Sequence, residues 1–252
     1  MYAVLQVSLE QPIPLEALEA AVMSTETLAK PDCGRLLQNV FGIVVNNLSQ
    51  EDALGFQAGL QSQGIETEVV DQASLPSLPE PFRPQSFNIS PEGLSFDDYT
   101  GQEQLCPMST LVFAAGGHVK HLPNIARRKL EWAQEAMAHA GNINHLEMVP
   151  DRQAKEVVQF RLEFYFTGEP HRLQCLADES TIVRGNGQVL KFRDQDQLDS
   201  LLVSLAGQTP PEQVNGGIKV AAAGQDYVYP SIHAFEEEIV WSLYRLAHDS
   251  GG

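Results

Sequence analysis

Cysteine is scarce in this chain. Only Cys33, Cys106 and Cys175 occur, widely spaced and odd in number. A disulfide framework or a zinc ribbon needs paired or clustered cysteines, so the sequence indicates neither. We interpret the three residues as reduced, buried thiols in a reducing compartment, and we expect a cytoplasmic protein.

Positive charge is scarce as well. The chain of 252 residues has 16 lysines and arginines against 33 aspartates and glutamates, a net charge of −17. A field of this sign repels phosphates and therefore argues against nucleic acid or an anionic membrane as the main partner. No apolar run is long enough to span a bilayer, and the first residues lack the positive start of a signal peptide. We expect no membrane insertion, and a partner that is another protein or a second copy of the chain.

Motifs of known chemistry are also missing. The sequence has no Gly-x-Ser-x-Gly, no phosphate-binding P-loop and no Cys-x-x-Cys. Gly185-Asn186-Gly187 lacks the third glycine and the following helix of a dinucleotide loop, so it predicts a β-hairpin turn. The sequence therefore assigns no catalytic, cofactor-binding or metal-binding residue, and we expect no cofactor.

The first 70 residues alternate between strand and helix patterns. Residues 2–8 predict a strand, and residues 15–23 and 33–41 predict two helices, the second with Asp32 as its N-cap. A second strand over residues 43–47 is followed by a helix that Ser49 caps and that Gly64 ends. A third strand over residues 65–70 completes the order β-α-α-β-α-β. This order predicts an α+β fold with a small ferredoxin-like domain over residues 1–70.

The segment over residues 42–70 also resembles a known unit. Its strand, serine-capped helix, terminal glycine and second strand are similar to the strand–helix–strand unit of the bacterial ribosomal stalk protein's C-terminal domain. Similar units stand at the front of uncharacterised bacterial proteins. The resemblance implies a fold for these residues and brings no active-site residue with it.

Residues 71–85 interrupt the alternation. Pro76, Pro79, Pro81 and Pro84 disfavour both helix and central strand, and so predict an extended linker between two domains. The alternative is a proline-rich loop inside a single domain.

Residues 86–252 predict a β-rich second domain. Short strands separated by turns form a meander, which a helical insert at about residues 123–141 interrupts. Two amphipathic helices close the chain, beginning near Asp194 and Ser231, with a loop rich in proline and glycine between them. A strand meander closed by terminal helices resembles the pleckstrin-homology-like fold, here over residues 86–248.

One basic cluster stands out from the acidic background. It comprises Lys120, Arg127, Arg128 and Lys129, which could contact a partner or an anion. Glu131 and Glu135 follow at spacings that suit pairing on one helix, so a solvated helix face is the alternative interpretation.

The histidines give weaker signals. His118 and His121 have a spacing that suits a metal on a helix, but Gly116-Gly117 precedes them and no acid or cysteine stands nearby. An exposed loop is the better interpretation. His233 and Glu237, four residues apart, are best interpreted as part of a capped, acidic first turn of the last helix.

These observations favour a noncatalytic protein-interaction or regulatory module. One alternative is an enzyme whose site is assembled from dispersed residues, with His118, His121 and Cys175 as first candidates. The other is an anion- or phosphate-binding module that uses the basic segment over residues 118–129.

Overall fold

The chain has a mixed α+β fold, in which strands and helices alternate near both ends and a run of strands lies between them. The computed structural model describes residues 1–29, 31–98, 100–121, 157–176, 179–184, 186–190 and 194–249. The strands are β1 (Tyr2–Gln6), β2 (Ile43–Leu48), β3 (Thr67–Asp71), β4 (Ser86–Ser90), β5 (Gly93–Asp97), β6 (Glu103–Pro107), β7 (Leu111–His121), β8 (Val157–Phe166), β9 (Arg172–Leu176), β10 (Thr181–Arg184) and β11 (Val228–Tyr229). The helices are α1 (Leu15–Val22), α2 (Asp32–Asn39), α3 (Gln50–Ser62), α4 (Gln195–Gln208), α5 (Gly216–Ala222) and α6 (Ile232–Asp249).

The first sheet has the order β2-β1-β3, with β1 antiparallel to both neighbours. Strands β2 and β3 run parallel to each other on either side of β1 and are joined by α3, which makes a split βαβ unit. Helices α1 and α3 cover one face, where Val4 packs against Leu18 and Phe56. The predicted element order of this region is confirmed.

The caps of α3 are confirmed in detail. The hydroxyl of Ser49 accepts a hydrogen bond from the Asp52 N–H at 3.1 Å. At the other end Gly64 has a φ of +78°, and the Ile65 N–H donates to the Leu60 carbonyl at 3.1 Å, a pattern that satisfies the last carbonyls of the helix.

Helix α2 differs from its prediction. Asp32 is the first helical residue and Pro31 occupies the N-cap position, because the fixed φ of proline already suits the first turn. The helix also ends at Asn39, ahead of Gly42.

Two further sheets have the orders β10-β4-β5-β6 and β11-β7-β8-β9. Their antiparallel neighbours follow the predicted meander. Each sheet also gains a parallel edge pair, β10 with β4 and β11 with β7, which the meander did not predict. The described strands form no closed barrel. A large apolar core lies between the two sheets and α4, whose predicted stripe of Leu198, Leu201, Leu202 and Leu205 is buried in it.

The stretch around His118 is a strand and not an exposed loop, so that prediction was wrong. Gly116 and Gly117 lie inside β7, where a Cβ on Gly116 would come within 2.5 Å of Leu202 and one on Gly117 within 3.0 Å of the Tyr229 ring. The two glycines serve close packing here, and the sequence could not distinguish this from a turn.

Helix α6 packs against two sheets at once. Phe235 and Ile239 join Phe113 of the third sheet, whereas Tyr244 joins Leu5 on the second face of the first sheet. The Trp241 indole N–H donates to the Gln6 carbonyl at 2.8 Å across this contact. The apolar stripe predicted for the last helix is confirmed, and the helix has a second apolar face beside it.

The proline-containing segment runs along β9. The Phe82 N–H donates to the Arg172 carbonyl and the Gln174 N–H donates to the Phe82 carbonyl, both at 2.9 Å. The division into domains at residues 71–85 stays a prediction. The predicted helical insert at 123–141 lies outside the described residues. Within the described part, no helix is both long and apolar enough to cross a membrane.

Candidate functional site

Four charged side chains, three of them buried and Glu236 partly exposed, form a network between the third sheet and α6. Glu163 of β8 is fully buried and accepts hydrogen bonds from Arg161 Nε at 2.6 Å and from Arg172 Nε at 2.9 Å. Both arginines also donate to Glu236 of α6, at 2.8 Å from Arg161 and 3.4 Å from Arg172. Two positive and two negative groups therefore neutralise each other inside the protein.

Neutral donors complete the shell around Glu163. The Tyr165 hydroxyl donates to it at 2.6 Å and the Gln174 amide at 2.7 Å. Burial alone would raise the pKa of Glu163, but Arg161 and Arg172 outweigh burial and hold this pKa below its usual value. The carboxyl group is therefore ionised and saturated with donors, as expected of a structural network.

A second buried carboxyl group, that of Glu238, lies on α6 two residues after Glu236. Glu238 accepts hydrogen bonds from the Tyr229 hydroxyl and, at 2.6 Å, from the Gly216 N–H. The Tyr229 oxygen itself accepts from the Asn215 amide at 2.7 Å and from the Gly217 N–H at 2.9 Å. Burial raises the pKa of Glu238, and burial together with Glu238 raises the pKa of Tyr229.

Two glycine pairs make this arrangement possible. A Cβ on Gly217 would lie 2.2 Å from the Gly116 carbonyl oxygen, and one on Gly216 would lie 2.9 Å from Glu238 Oε1. Only glycine lets the start of α5 approach β7 and Glu238 so closely. Asn215 fixes the approach, because its side-chain oxygen accepts from the Gly116 N–H at 3.0 Å while it caps α5.

A cleft of about 370 Å³ opens beside Glu238, between the first sheet region and α5. Its lining includes the polar side chains of Glu238 and Gln6 and is otherwise mainly apolar. Three aromatic rings cluster at this point: Tyr227 and Tyr229 have centroids 4.9 Å apart, and Phe41 lies 5.5 Å from Tyr229.

Glu237 lies in sequence between Glu236 of the ion network and the buried Glu238. Its Oε1 is 3.1 Å from His233 Nε2, whereas its Oε2 is buried without a hydrogen-bond partner in the described part of the chain. Burial raises the pKa of Glu237 to about 8. The prediction that the capped first turn is acidic was wrong: α6 begins at Ile232, its first turn contains no acid, and Glu237 and Glu238 are buried.

The raised pKa of Glu237 gives a pH-dependent stability. A carboxyl group whose pKa is higher in the folded protein stabilises it fully below the unfolded pKa, near 4.5, and this contribution is lost as the pH rises through about 8. We expect the free energy of unfolding to fall across this interval. Glu237→Gln should remove most of the fall and be more stable than wild type by about 1–3 kcal/mol at the alkaline end.

Urea unfolding of both proteins at several pH values between about 5 and 8 measures this effect. The exposed acid Glu212 supplies the control, because Glu212→Gln should keep the wild-type pH profile. A Glu237→Gln profile parallel to that of wild type would contradict the expectation.

A different candidate surface lies on the second sheet. Strand β6 is its edge strand and pairs only with β5 among the described strands. By contrast, the outer edge of β9 pairs with Phe82. The outer edge of β10 pairs with residues 188–190, where the Leu190 N–H donates to the Ile182 carbonyl. Leu105 of β6 has 57% of its surface exposed.

The outer face beside β6 carries a pair of like charges. Asp97 and Glu103 are direct cross-strand partners, so two like charges stand opposite each other. They line a shallow cleft of about 330 Å³ together with Asn88, whose Oδ1 is buried without a partner in the described part of the chain.

The sequence-predicted residues of the basic segment lie either on β7 or outside the described residues. Lys120 lies near the end of β7, and Arg127, Arg128 and Lys129 lie outside the described residues. His118 Nε2 is 3.3 Å from Asp199 Oδ1, and its ring contacts Phe160. His121 is the last residue of β7.

The third member of the dispersed-site alternative is a core residue. Cys175 belongs to the large core, and burial raises the pKa of its thiol to about 12, so it is a poor nucleophile at neutral pH. All three cysteines are buried free thiols. Among the described residues, no group of three or more histidine, cysteine and acidic side chains could hold a metal ion.

Comparisons of the chain with protein-family models, with curated proteins and with solved structures found no match.

Proposed function

We propose that this chain is a noncatalytic protein-interaction module that binds an extended segment of a partner protein along β6. The observation that supports it most is the like-charge pair of Asp97 and Glu103 beside the exposed Leu105 on an edge strand. An added strand would supply main-chain hydrogen bonds to this edge, and its alternate side chains would lie over the outer face of the sheet.

The chemistry of the partner segment follows from the residues that it would meet. A lysine or arginine placed beside Asp97 and Glu103 relieves their repulsion, because each carboxylate gains an opposite charge. Since side chains on one face of a strand are two residues apart, an apolar residue two positions away would cover Leu105. We therefore propose an extended segment with a basic residue and an apolar residue two positions apart. The residues between and beside them point to the opposite face of the strand.

A peptide array tests this proposal directly. Extended peptides with lysine and valine at alternate positions should bind the full chain, and peptides with glutamate in place of lysine should not. Binding should be lost in the variant Asp97→Lys/Glu103→Lys, and should weaken at least about tenfold in Leu105→Lys, a loss of about 1.4 kcal/mol.

The control is a pair of charge reversals elsewhere, Glu66→Lys/Glu212→Lys, which changes the net charge equally on exposed residues away from β6. If this control lost binding as fully as the β6 variant, general electrostatic attraction would explain the result and the β6 site would be rejected.

We also propose a fold for each of the two domains and a cellular location for the protein. We infer a ferredoxin-like domain over residues 1–70, as the resemblance to the stalk-protein unit implies, and a pleckstrin-homology-like domain over residues 86–252. The split βαβ unit supports the first assignment, and the strand meander followed by α6 supports the second. The buried free thiols support a reducing compartment such as the cytoplasm.

A further inference from the structure

Two aromatic side chains and one buried carboxyl group line the cleft between the first sheet region and α5. The rings of Phe41 and Tyr227 have centroids 6.4 Å apart and are inclined by 66°, and both residues line the cleft. Glu238, which is only 3% exposed, also lines it. The three residues come from the segment after α2, the segment before β11, and α6, and the fold brings them together.

The carboxyl group of Glu238 is suited to a positively charged ligand. Both of its hydrogen-bond donors, the Gly216 N–H and the Tyr229 hydroxyl, are uncharged. A carboxylate has about four acceptor positions, so two hydrogen bonds leave capacity for another contact. The charge of Lys219 acts on Glu238 from a distance, but within the described residues no lysine or arginine forms an ion pair with Glu238, in contrast to the double pairing of Glu163.

The walls of the cleft select the kind of cation. Hard metal ions take six or more oxygen ligands, whereas these walls include Leu37, Val40 and Val220. Aromatic faces attract ammonium groups, and alkylated ammonium ions in particular, because those ions are weakly hydrated and present an apolar surface. The volume of about 370 Å³ lies in the range of small-molecule sites.

We propose that this cleft binds a small quaternary ammonium compound, whose cationic group lies against the rings of Phe41 and Tyr227 and beside the carboxylate of Glu238. A cation at this position favours the ionised carboxylate and so offsets the effect of burial. The site shares no residue with the β6 surface, and the proposal is independent of the protein-interaction function.

Choline and tetramethylammonium are suitable probes. Titration of the full chain by calorimetry should give saturable binding of both ions. 3,3-Dimethylbutan-1-ol, the uncharged analogue of choline with the same shape, should bind at least about tenfold more weakly, since it loses the attraction to the rings and to Glu238. Equal affinity for choline and the alcohol, or no binding of either ion, would overturn the proposal.

Two matched pairs of variants locate the site. Glu238→Gln should weaken choline binding at least about tenfold, whereas Glu237→Gln, the same substitution at the neighbouring residue, should leave it unchanged. Tyr227→Leu should weaken it similarly, whereas Tyr227→Phe keeps the ring and should retain it. If Glu238→Gln fails to fold by circular dichroism, the Tyr227 pair decides. Equal binding by Tyr227→Leu and Tyr227→Phe would overturn the site.

Discussion

Replacement of Arg172 by methionine should lower the free energy of unfolding by about 3–5 kcal/mol, the usual cost of removing one partner from a buried ion pair. Arg172 contacts both oxygens of the fully buried Glu163 and also donates to the Pro79 carbonyl at 3.2 Å. Its loss leaves the network with two acids and one base. The measurement is urea unfolding followed by far-UV circular dichroism.

Two further variants test whether charge is the cause. Arg83→Met removes an arginine that donates to Gln174 Oε1 and lies 4.0 Å from Glu179, but half of its side chain is exposed, so its loss should cost less than about 1 kcal/mol. The double variant Glu163→Gln/Arg172→Met has no excess buried charge and should cost less than the sum of the two single changes. Simple additivity would show that packing, and not charge balance, determines the effect.

The features that the sequence predicted correctly are determined by residues that lie close together in the chain. The capped helix α3 depends on Ser49 and Gly64, and the buried stripe of α4 depends on leucines three and four residues apart; all of these act within a few turns of the chain. The predicted hairpin after β10 has the same local character: Val183 and Val189 form an antiparallel bridge, and the Arg184 N–H donates to the Gln188 carbonyl at 2.9 Å. Such features form from neighbouring residues and can be recognised one segment at a time.

The candidate sites depend on contacts that are distant in sequence. Glu236, Glu237 and Glu238 are consecutive acids, which normally indicates a solvated first turn favoured by the helix dipole. Glu236, which is partly exposed, pairs with Arg161, and the buried Glu238 pairs with Tyr229; both partners belong to other elements of the fold. The parallel pairing of β10 with β4 is similarly non-local.

One sequence signal for the ion network was nevertheless present. Arg161, Glu163 and Tyr165 alternate with Phe160, Leu162 and Phe164 along β8. Alternation predicts one face toward solvent. Here opposite charges two residues apart, followed by a tyrosine, occupy the second face, and α6 covers it. A charge pair on one face of a strand can therefore indicate a buried network as well as a solvated surface.

Helix α6 connects the stability of the first and third sheets. On one side Phe235 is fully buried, 5.1 Å from the ring of Tyr229, with the Arg161 guanidinium 5.6 Å above its own ring. On the other side Trp241 and Tyr244 pack on the first sheet. Because one helix makes both contacts, removal of the Phe235 ring should also destabilise the first sheet, although Phe235 itself packs against the third sheet.

Phe235→Ala should lower the free energy of unfolding by about 3–5 kcal/mol, because it removes a fully buried ring and leaves a cavity. Val203→Ala, at an exposed position of α4, should change it by less than about 0.5 kcal/mol. In a Trp132→Phe background, Trp241 fluorescence reports on the first sheet and circular dichroism on the whole chain. Both signals should show one transition, shifted equally by Phe235→Ala. A Trp241 transition that stays at its original midpoint while the dichroism shifts would show that the first sheet unfolds independently of α6.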